Sequence, residues 1–219
     1  MSEIISTYQF HDLEKEEPMD RVEFYKEQIE FHQAGKKPTR AVGIVNIFLF
    51  NSHGELLVQK RSFEKNHNPG MLDKSMGGHI KYADTSDYSV MVETIQELET
   101  PSIVLKSASD FKKTFNLLHE YLSTIAIIEH MQTKAYVLDK IIENIKIPIA
   151  NKVFTYFGIY DGRVRPADQE AKGMLFYTLP ELDHEMAKFP DTFTPDLHMF
   201  MKDLRKEMIS FLSLIRANG

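Results

Sequence analysis

The segment Ala41–Phe50 (AVGIVNIFLF) is apolar at nearly every position. A strand with one face in water would alternate apolar and polar residues, so this run predicts a strand that is buried on both faces. Asn51-Ser52-His53-Gly54 is a turn signal, and Glu55–Lys60 (ELLVQK) then predicts the second arm of a hairpin. We therefore expect Ala41–Phe50 to be a central strand of a sheet.

Other segments alternate between helical and strand patterns. Helices are predicted at Asp20–Gly35, Ser86–Glu99, Asp110–Ser123, Lys134–Ile145 and Pro195–Ala217, the last with Thr194 as its cap. Strands are predicted at Val153–Tyr160 and Met174–Thr178, whereas Thr124–His130 is compatible with either a helix or a strand. The fold class is therefore α/β or α+β. No shift in composition marks a linker, so we expect a single domain over residues 1–219.

Composition and charge limit the classes of function. The formal net charge is −6 and the basic residues are scattered, which argues against binding of a nucleic-acid polymer. No apolar run approaches the roughly 18 residues of a membrane span. The chain has no cysteine, which excludes disulfides, thiolate metal sites and cysteine nucleophiles. The N-terminal segment is acidic and polar, so a cytoplasmic location without membrane association is expected.

The predicted helix Ser86–Glu99 carries a group of acidic residues on one face. At 100° per residue, the apolar side consists of Val90, Met91, Thr94, Ile95 and Leu98. Glu93, Gln96 and Glu97 fall together on the opposite side. An acidic helix face is often merely solvated, but oxygen ligands grouped on one rigid face also suit Mg²⁺ or Mn²⁺, which complete their shells with water and substrate phosphates.

The residues before this helix favour the metal-binding interpretation. The loop NPGMLDKSMGGHI ends in Gly77-Gly78, where small residues permit close approach of the backbone, and it follows the hairpin segment ELLVQKRS. This combination resembles the Nudix superfamily, and within it the branch similar to isopentenyl-diphosphate isomerase. The segments RSFEKNHNPGMLDKSMGGHI, Phe154–Gly162 and FTPDLHMF carry the resemblance.

The resemblance implies a fold and its boundaries. We expect a Nudix-type α/β/α sandwich with a mixed sheet, an N-terminal helix and a long C-terminal helix. The core would comprise residues 40–104 and 153–204, preceded by a helical extension at residues 1–39. A helical insertion is expected at about residues 106–152.

The resemblance also implies roles for individual residues. When Gly78 is aligned with the first glycine of the Nudix signature, Glu93 and Glu97 match its metal-binding and catalytic glutamates. Gln96 and Asp84 are conservative departures, and Val92 stands where the family has an arginine. The implied metal ligands are Glu93, Glu97, Gln96, Gly77 and, from a later loop, Glu170, with Asp168 as an alternative to Glu170.

The candidate substrate-binding residues are Gly78, His79, Arg61 and Lys60. Surface charge is an alternative reading of Lys60 and Arg61, as it is for Lys74 and Lys81, and packing is an alternative for His79. The expected substrate is a small-molecule diphosphate. The apolar segment TIAIIEHM is a candidate surface for a homodimer.

Three functions follow from the residues and the resemblance. The first is hydrolysis of a diphosphate linkage with Mg²⁺ or Mn²⁺. The second is isomerisation of isopentenyl diphosphate, but the family enzyme of that type depends on a cysteine, which this chain lacks. The third is a catalytically impaired Nudix-like module that binds a nucleotide or a protein partner, motivated by Val92 and Gln96 in place of an arginine and a glutamate.

Overall fold

A mixed sheet forms the centre of the structure, a computed structural model that describes residues 3–142, 145–164 and 171–216. The strands are β1 (Ile4–Gln9), β2 (Asp12–Asp20), β3 (Arg40–Phe50), β4 (Leu56–Arg61), β5 (Leu72–Asp73), β6 (Met76–His79), β7 (Ser102–Leu105), β8 (Ala126–Ile142), β9 (Ile145–Ile159) and β10 (Ala171–Tyr177). The helices are α1 (Arg21–Gln33), α2 (Ser86–Leu98), α3 (Ala108–Leu118), α4 (Leu179–Lys188), α5 (Pro195–Asp203) and α6 (Arg205–Arg216).

The order of the main strands is β10-β4-β3-β9-β8-β7. The pairs β3–β9 and β7–β8 are parallel, and the other pairs are antiparallel. On the side of β3 opposite β9, β1 pairs with the first residues of the strand and β6 pairs with residues 44–47. β4 meets β3 only at Phe50 and then diverges to pair with β5. This divergence leaves space between β4–β5 and β3–β6.

The central strand β3 is buried on both faces, as its apolar sequence predicts. Side chains of its even positions, such as Phe48 and Phe50, pack with aromatic residues of α5 and α6, in a cluster that also includes Phe111 of α3. Odd positions, such as Val45 and Ile47, pack against α2. Full burial of each such side chain contributes roughly 1.5–3 kcal/mol. Helices therefore cover both faces of a mixed sheet, and the predicted mixed α+β sandwich is confirmed.

The N-terminal segment differs from the prediction. The helix α1 is confirmed, and Asp20 caps it by accepting from Val22 N at 2.9 Å. Before it, however, β1 and β2 form a hairpin that was not predicted. The charged, largely exposed sequence of β2 lacks an apolar alternation, so its strand state depends on pairing with β1, whose Ile5 is fully buried.

The expected helical insertion is only partly correct. The helix α3 is confirmed, but Lys134–Ile145 is not helical, because its described residues belong to the long hairpin of β8 and β9. Burial near the hairpin tip alternates with a period of two, as in a strand. Leu138 and Lys140 are buried there, while Val137 and Asp139 are exposed. The later part of the core was expected to begin at residue 153, which lies inside β9 and not at the first residue of that strand.

The segment TIAIIEHM is not an exposed apolar surface. Ala126, Ile127 and Ile128 are fully buried in β8, between β7 and β9. These apolar side chains pack in the core of the same chain. The prediction that this segment forms a homodimer surface was therefore wrong.

The C-terminal helix is interrupted once. Thr194 caps α5 by accepting from Leu197 N at 3.2 Å, as predicted. The helical region then breaks at the fully buried Leu204, so that α5 and α6 replace a single helix up to residue 216. Both helices pack on the aromatic core opposite α2. Within the described ranges, no helix has the length and apolarity needed to cross a membrane.

Candidate functional site

A cavity of about 580 Å³ opens where β4–β5 and β3–β6 diverge. It extends from α2 to α1 and to the β8–β9 hairpin. The predicted site residues that line it are Arg61, Gly77, Gly78, His79, Glu93, Gln96 and Glu97. Residues far apart in the sequence therefore meet in one place. Glu170 and Asp168, the candidate further ligands, lie outside the described residues.

The helix α2 presents its acidic residues to this cavity. Thr85 caps the helix by accepting from Tyr88 N at 3.1 Å. The predicted apolar face is partly wrong, because Met91 and Ile95 are 44% and 51% exposed, whereas Glu97 is only 3% exposed. The helix is thus rotated from the predicted orientation, and the buried stripe passes through Glu97 toward β4.

A hydrogen bond explains how the Glu97 carboxylate tolerates burial. The amide Nε2 of Gln59, on β4, donates to Glu97 Oε2. Gln59 is itself buried and lines the cavity. A buried carboxylate requires such donors, because its desolvation is costly without them. The bond therefore fixes Glu97 at the wall of the cavity, and sequence reasoning did not identify Gln59.

The two glycines of β6 provide room for α2 and β3. A Cβ atom on Gly78 would lie 1.9 Å from Oε1 of Glu93, so only glycine leaves space for this carboxylate. A Cβ on Gly77 would lie 2.6 Å from the carbonyl oxygen of Val45. The Gly77-Gly78 pair was predicted to allow close approach, and the structure shows that the approaching groups are a β3 carbonyl and the Glu93 carboxylate.

The donor set on this wall suits a hard divalent cation. Glu93 and Glu97 offer carboxylate oxygens, Gln96 offers a neutral amide oxygen, and Gly77 offers only backbone atoms. Among the described residues, no three His, Asp or Glu side chains form a group that could hold a metal ion. Two carboxylates and one amide are few ligands, so a cation held by them would complete its shell with water, as Mg²⁺ and Mn²⁺ do.

Basic side chains line the wall formed by β4 and β5. Arg61 Nη1 lies 3.2 Å from Asp73 Oδ2, and Lys74 Nζ lies 3.6 Å from Asp73 Oδ1. Thr194 Oγ1 also donates to Asp73 at 2.9 Å. Although burial alone would raise the pKa of Asp73, the charges of Lys74 and Arg61 hold that pKa below its ordinary value. Two cations thus share one carboxylate, which leaves this wall positively charged.

The structure places the two lysines at this end differently. Lys74 is 8% exposed and lines the cavity, so its reading as a surface charge was wrong. Lys60 instead points away from the cavity, is exposed, and has its Nζ 5.9 Å from the ring centroid of Phe63. Alternation along β4 explains the orientation of Lys60, because it lies between Gln59 and Arg61, which both face the cavity.

Two histidines lie near the α1 end of the cavity. Burial, together with the charges of Lys140 and Arg61, lowers the pKa of His67 to about 2. Burial, with the charges of Arg21 and Lys140, lowers the pKa of His79 to about 3. Both imidazoles are therefore neutral hydrogen-bonding groups near pH 7 rather than cations.

His79 is held by an aromatic residue of α1. Tyr25 Oη and His79 Nε2 are 2.9 Å apart, and burial raises the pKa of Tyr25. The Tyr25 ring also lies nearly parallel to His67, with centroids 6.0 Å apart and an interplanar angle of 24°. The side chains of Tyr25, His67 and His79 thus make one polar, aromatic end of the cavity.

The β8–β9 hairpin contributes a residue that sequence reasoning missed. Lys140 lines the cavity and is 7% exposed, and it forms an ion pair with the buried Asp196 of α5. Although burial alone would lower the pKa of Lys140, the Asp196 carboxylate raises it. The alternation around Lys140 was a usable signal, but it was hidden by the helical reading of this segment.

Comparisons with known proteins give sequence relatives for the chain. No protein-family model matches it. It is 27% identical over 161 residues to an isopentenyl-diphosphate Delta-isomerase from Serratia proteamaculans, a match that covers 73% of this chain and 74% of that protein. A segment of 55 residues is 40% identical to an uncharacterized Nudix hydrolase from Nostoc sp., covering 25% of this chain and 32% of that protein.

A solved Nudix hydrolase from Nitrosomonas europaea superposes with a TM-score of 0.49 at 12% identity, covering 77% of this chain and 90% of that chain. The sequence matches confirm the predicted resemblance. The chain is thus a sequence relative of the Nudix hydrolases and of the Nudix-like isopentenyl-diphosphate isomerases.

Proposed function

We propose that this protein is a Nudix-type hydrolase that cleaves a diphosphate linkage in a small molecule with the help of Mg²⁺ or Mn²⁺. The observation that supports the proposal is the arrangement of charge around one cavity. Glu93 and Glu97 lie on one wall, and Arg61 and Lys74 lie on another. A diphosphate with its metal ion needs both signs of charge, because the carboxylates hold the cation and the basic groups hold the phosphoryl oxygens.

The acidic wall would bind the metal and receive a proton. Glu93 and Glu97 are the proposed ligands, supplemented by Gln96 and the backbone of Gly77. When bound, the metal supplies polarisation of the phosphoryl oxygens and a lower pKa for an attacking water. Gln59 keeps Glu97 in place through its hydrogen bond. Glu93, Glu97 or Glu170 would accept a proton from the attacking water.

The basic wall would orient the substrate. Arg61 presents a planar guanidinium, and Lys74 adds a point charge beside it; together they suit two phosphoryl groups. Gly78 and His79 border the same space and can contact the substrate at close range. Lys60 is not part of this proposal, since it faces away from the cavity.

The departures from the Nudix signature predict a slow enzyme. Val92 cannot orient a glutamate as an arginine would, and Gln96 lacks the charge of a glutamate. A weaker metal site is the expected consequence. These same departures support the alternative function, a Nudix-like module that binds a nucleotide or protein partner without turnover.

A phosphate-release assay distinguishes the two functions. Purified protein is tested against a panel of diphosphates with Mg²⁺, with Mn²⁺ and with EDTA. The proposal expects release with metal, loss with EDTA, and at least a 100-fold decrease in kcat for Glu97→Gln, on the order of the loss of a general base. Glu64→Gln, which changes an exposed glutamate outside the cavity, is the control.

Two outcomes would contradict hydrolysis. Undiminished activity in Glu97→Gln would show that the acidic wall has no catalytic role. Absence of metal-dependent release across the whole panel would support the binding module instead.

A further inference from the structure

Asp73 on β5 is a buried carboxylate that no step of the proposed reaction uses. It is 4% exposed and lines the cavity together with Arg61 and Lys74. Although burial alone would raise its pKa, the neighbouring cations lower the pKa of Asp73 overall, so the carboxylate is ionised near pH 7. A negative charge on this wall repels an anionic substrate. The presence of Asp73 there therefore requires a compensating role.

Both oxygens of the Asp73 carboxylate accept hydrogen bonds from the protein. Oδ1 accepts from Thr194 Oγ1 at 2.9 Å and from the backbone N of Lys74 at 2.9 Å. Oδ2 accepts from Arg61 Nη1 at 3.2 Å. Lys74 Nζ adds an ion pair, 3.6 Å from Oδ1. Bonds to both oxygens fix the orientation of the carboxylate as well as its position.

Thr194 connects this carboxylate to the C-terminal helices. Thr194 is fully buried and caps α5, and its backbone N donates to the carbonyl oxygen of Leu72 at 2.8 Å. Asp73 is thus held in β5 by the chain and at the start of α5 by the Thr194 hydroxyl. The carboxylate is therefore a fixed point against which the two neighbouring cations can be oriented.

The guanidinium of Arg61 is held at two of its nitrogens. Nη1 donates to Asp73, and Nη2 donates to the carbonyl oxygen of His67 at 3.1 Å. The buried Nε has no hydrogen-bond partner among the residues that the structure describes. These bonds orient the planar group without using all of its N–H donors. Without Asp73, moreover, Arg61 and Lys74 would repel each other at close range.

We propose that Asp73 is a positioning residue that holds Arg61 and Lys74 in the geometry needed to bind a diphosphate. This inference rests on the proposed function, in which these two cations orient the phosphoryl oxygens. Asp73 itself would touch neither the substrate nor the metal, and it acts through the two basic side chains. Donors that are already oriented bind more tightly, because less side-chain freedom is lost on binding. This gain outweighs the repulsion between Asp73 and the substrate.

The positioning role and simple charge balance predict opposite effects of removing the charge. If Asp73 only balanced charge, Asp73→Asn would make the wall more positive and would tighten the binding of an anion. If Asp73 positions the cations, the same substitution weakens binding. The reason is that the amide NH₂ of asparagine cannot accept, so it must face one of the donors that the carboxylate now satisfies.

Isothermal titration with methylenediphosphonate in the presence of Mg²⁺ measures this effect without turnover. We expect Asp73→Asn to bind about 10-fold or more weakly than wild type, on the order of the loss of a hydrogen bond between charged groups. Asp73→Glu keeps the charge but displaces the carboxylate by one methylene. It should also bind more weakly, whereas charge balance alone would leave its affinity unchanged.

The controls separate positioning from folding. Asp183→Asn is the matched control, because Asp183 also pairs with an arginine, Arg205, but does not line the cavity. It should retain wild-type affinity. The circular dichroism spectrum verifies the fold of each variant, and a partly unfolded sample would lower the binding stoichiometry rather than the affinity. If Asp73→Asn does not fold, Asp73→Glu provides the comparison, since it retains the charge that Arg61 and Lys74 require.

Each result has a distinct meaning. Equal or tighter binding in Asp73→Asn, or wild-type affinity in Asp73→Glu, would overturn the positioning role and leave the proposed hydrolase intact. A lack of methylenediphosphonate binding in wild type would overturn the diphosphate subsite of the proposed function, and the inference with it.

Discussion

Because Gly78 has no side chain, the Glu93 carboxylate can lie directly against β6. The space that a Cβ would occupy at this position is filled by Glu93 Oε1. A substitution there must therefore displace the carboxylate, the β6 backbone or both. The backbone at Gly78 is compatible with alanine, because its φ is not positive.

Gly78→Ala should lower the affinity for Mn²⁺ by about 10-fold or more, an order typical of disturbed ligand geometry. Isothermal titration measures the effect, and the circular dichroism spectrum verifies the fold. Gly173→Ala is the matched control, since its new Cβ would come no closer than 4.0 Å to Lys60 Cβ. Equal Mn²⁺ affinity in Gly78→Ala and wild type would refute the proposed position of Glu93.

His67 makes the stability of the protein depend on pH. Its pKa is lowered to about 2 in the folded chain, mainly by burial, whereas an unfolded chain takes up the proton below about pH 6.5. Acidification from pH 7 to 5 therefore favours unfolding, and alkalisation restores stability. Across this window the contribution of His67 is about 1–2 kcal/mol.

His67→Gln should reduce that pH dependence, because glutamine does not titrate. Urea unfolding at pH 7 and pH 5 measures the free energy of unfolding for both proteins. The variant should lose about 1–2 kcal/mol less than the wild type between the two pH values. A pH dependence identical to that of the wild type would show that His67 titrates normally.

At the scale of elements, the β8–β9 hairpin joins the C-terminal helices to the cavity. Lys140 on β8 reaches Asp196 near the start of α5, and both side chains are buried. Breaking such a pair leaves an uncompensated charge in a low-dielectric site. The pair thus fixes the hairpin at the α1 end of the cavity.

Lys140→Met should destabilise the protein by about 3–5 kcal/mol, because the Asp196 carboxylate then lacks its counter-ion. Adding Asp196→Leu should restore most of this loss, since the charge is removed together with its partner. Urea unfolding of the single and double variants gives the coupling energy. Strictly additive losses would mean that the two residues do not stabilise each other.

Element prediction succeeded for segments with a clear helical or strand pattern. The bounds of α1, α2 and β3 were predicted nearly to the residue. Prediction failed for β2, whose charged sequence becomes a strand only through pairing with β1. It failed again for Lys134–Ile145, because good helix formers there alternate in burial within a long hairpin.

At the scale of the whole molecule, the cavity combines residues that no local pattern relates. Glu93 and Glu97 were predictable because they share one helix and follow a recognisable loop. Gln59 and Lys140 were not, since their roles arise from the divergence of β4 and from the hairpin pairing. Local sequence specified the acidic wall, whereas tertiary contacts assemble the basic and polar walls.

Glu97 and Glu93 are proposed to hold a divalent metal against a diphosphate. Isothermal titration with Mn²⁺ tests it in wild type, Glu97→Gln and Glu99→Gln, each with and without saturating methylenediphosphonate. Glu99 is an exposed glutamate two residues along that does not line the cavity, so it is the matched control. We predict saturable binding in wild type and Glu99→Gln that is lost or at least 10-fold weaker in Glu97→Gln. Equal binding in all three proteins, or none in wild type even with the diphosphonate, would contradict metal binding by these two glutamates.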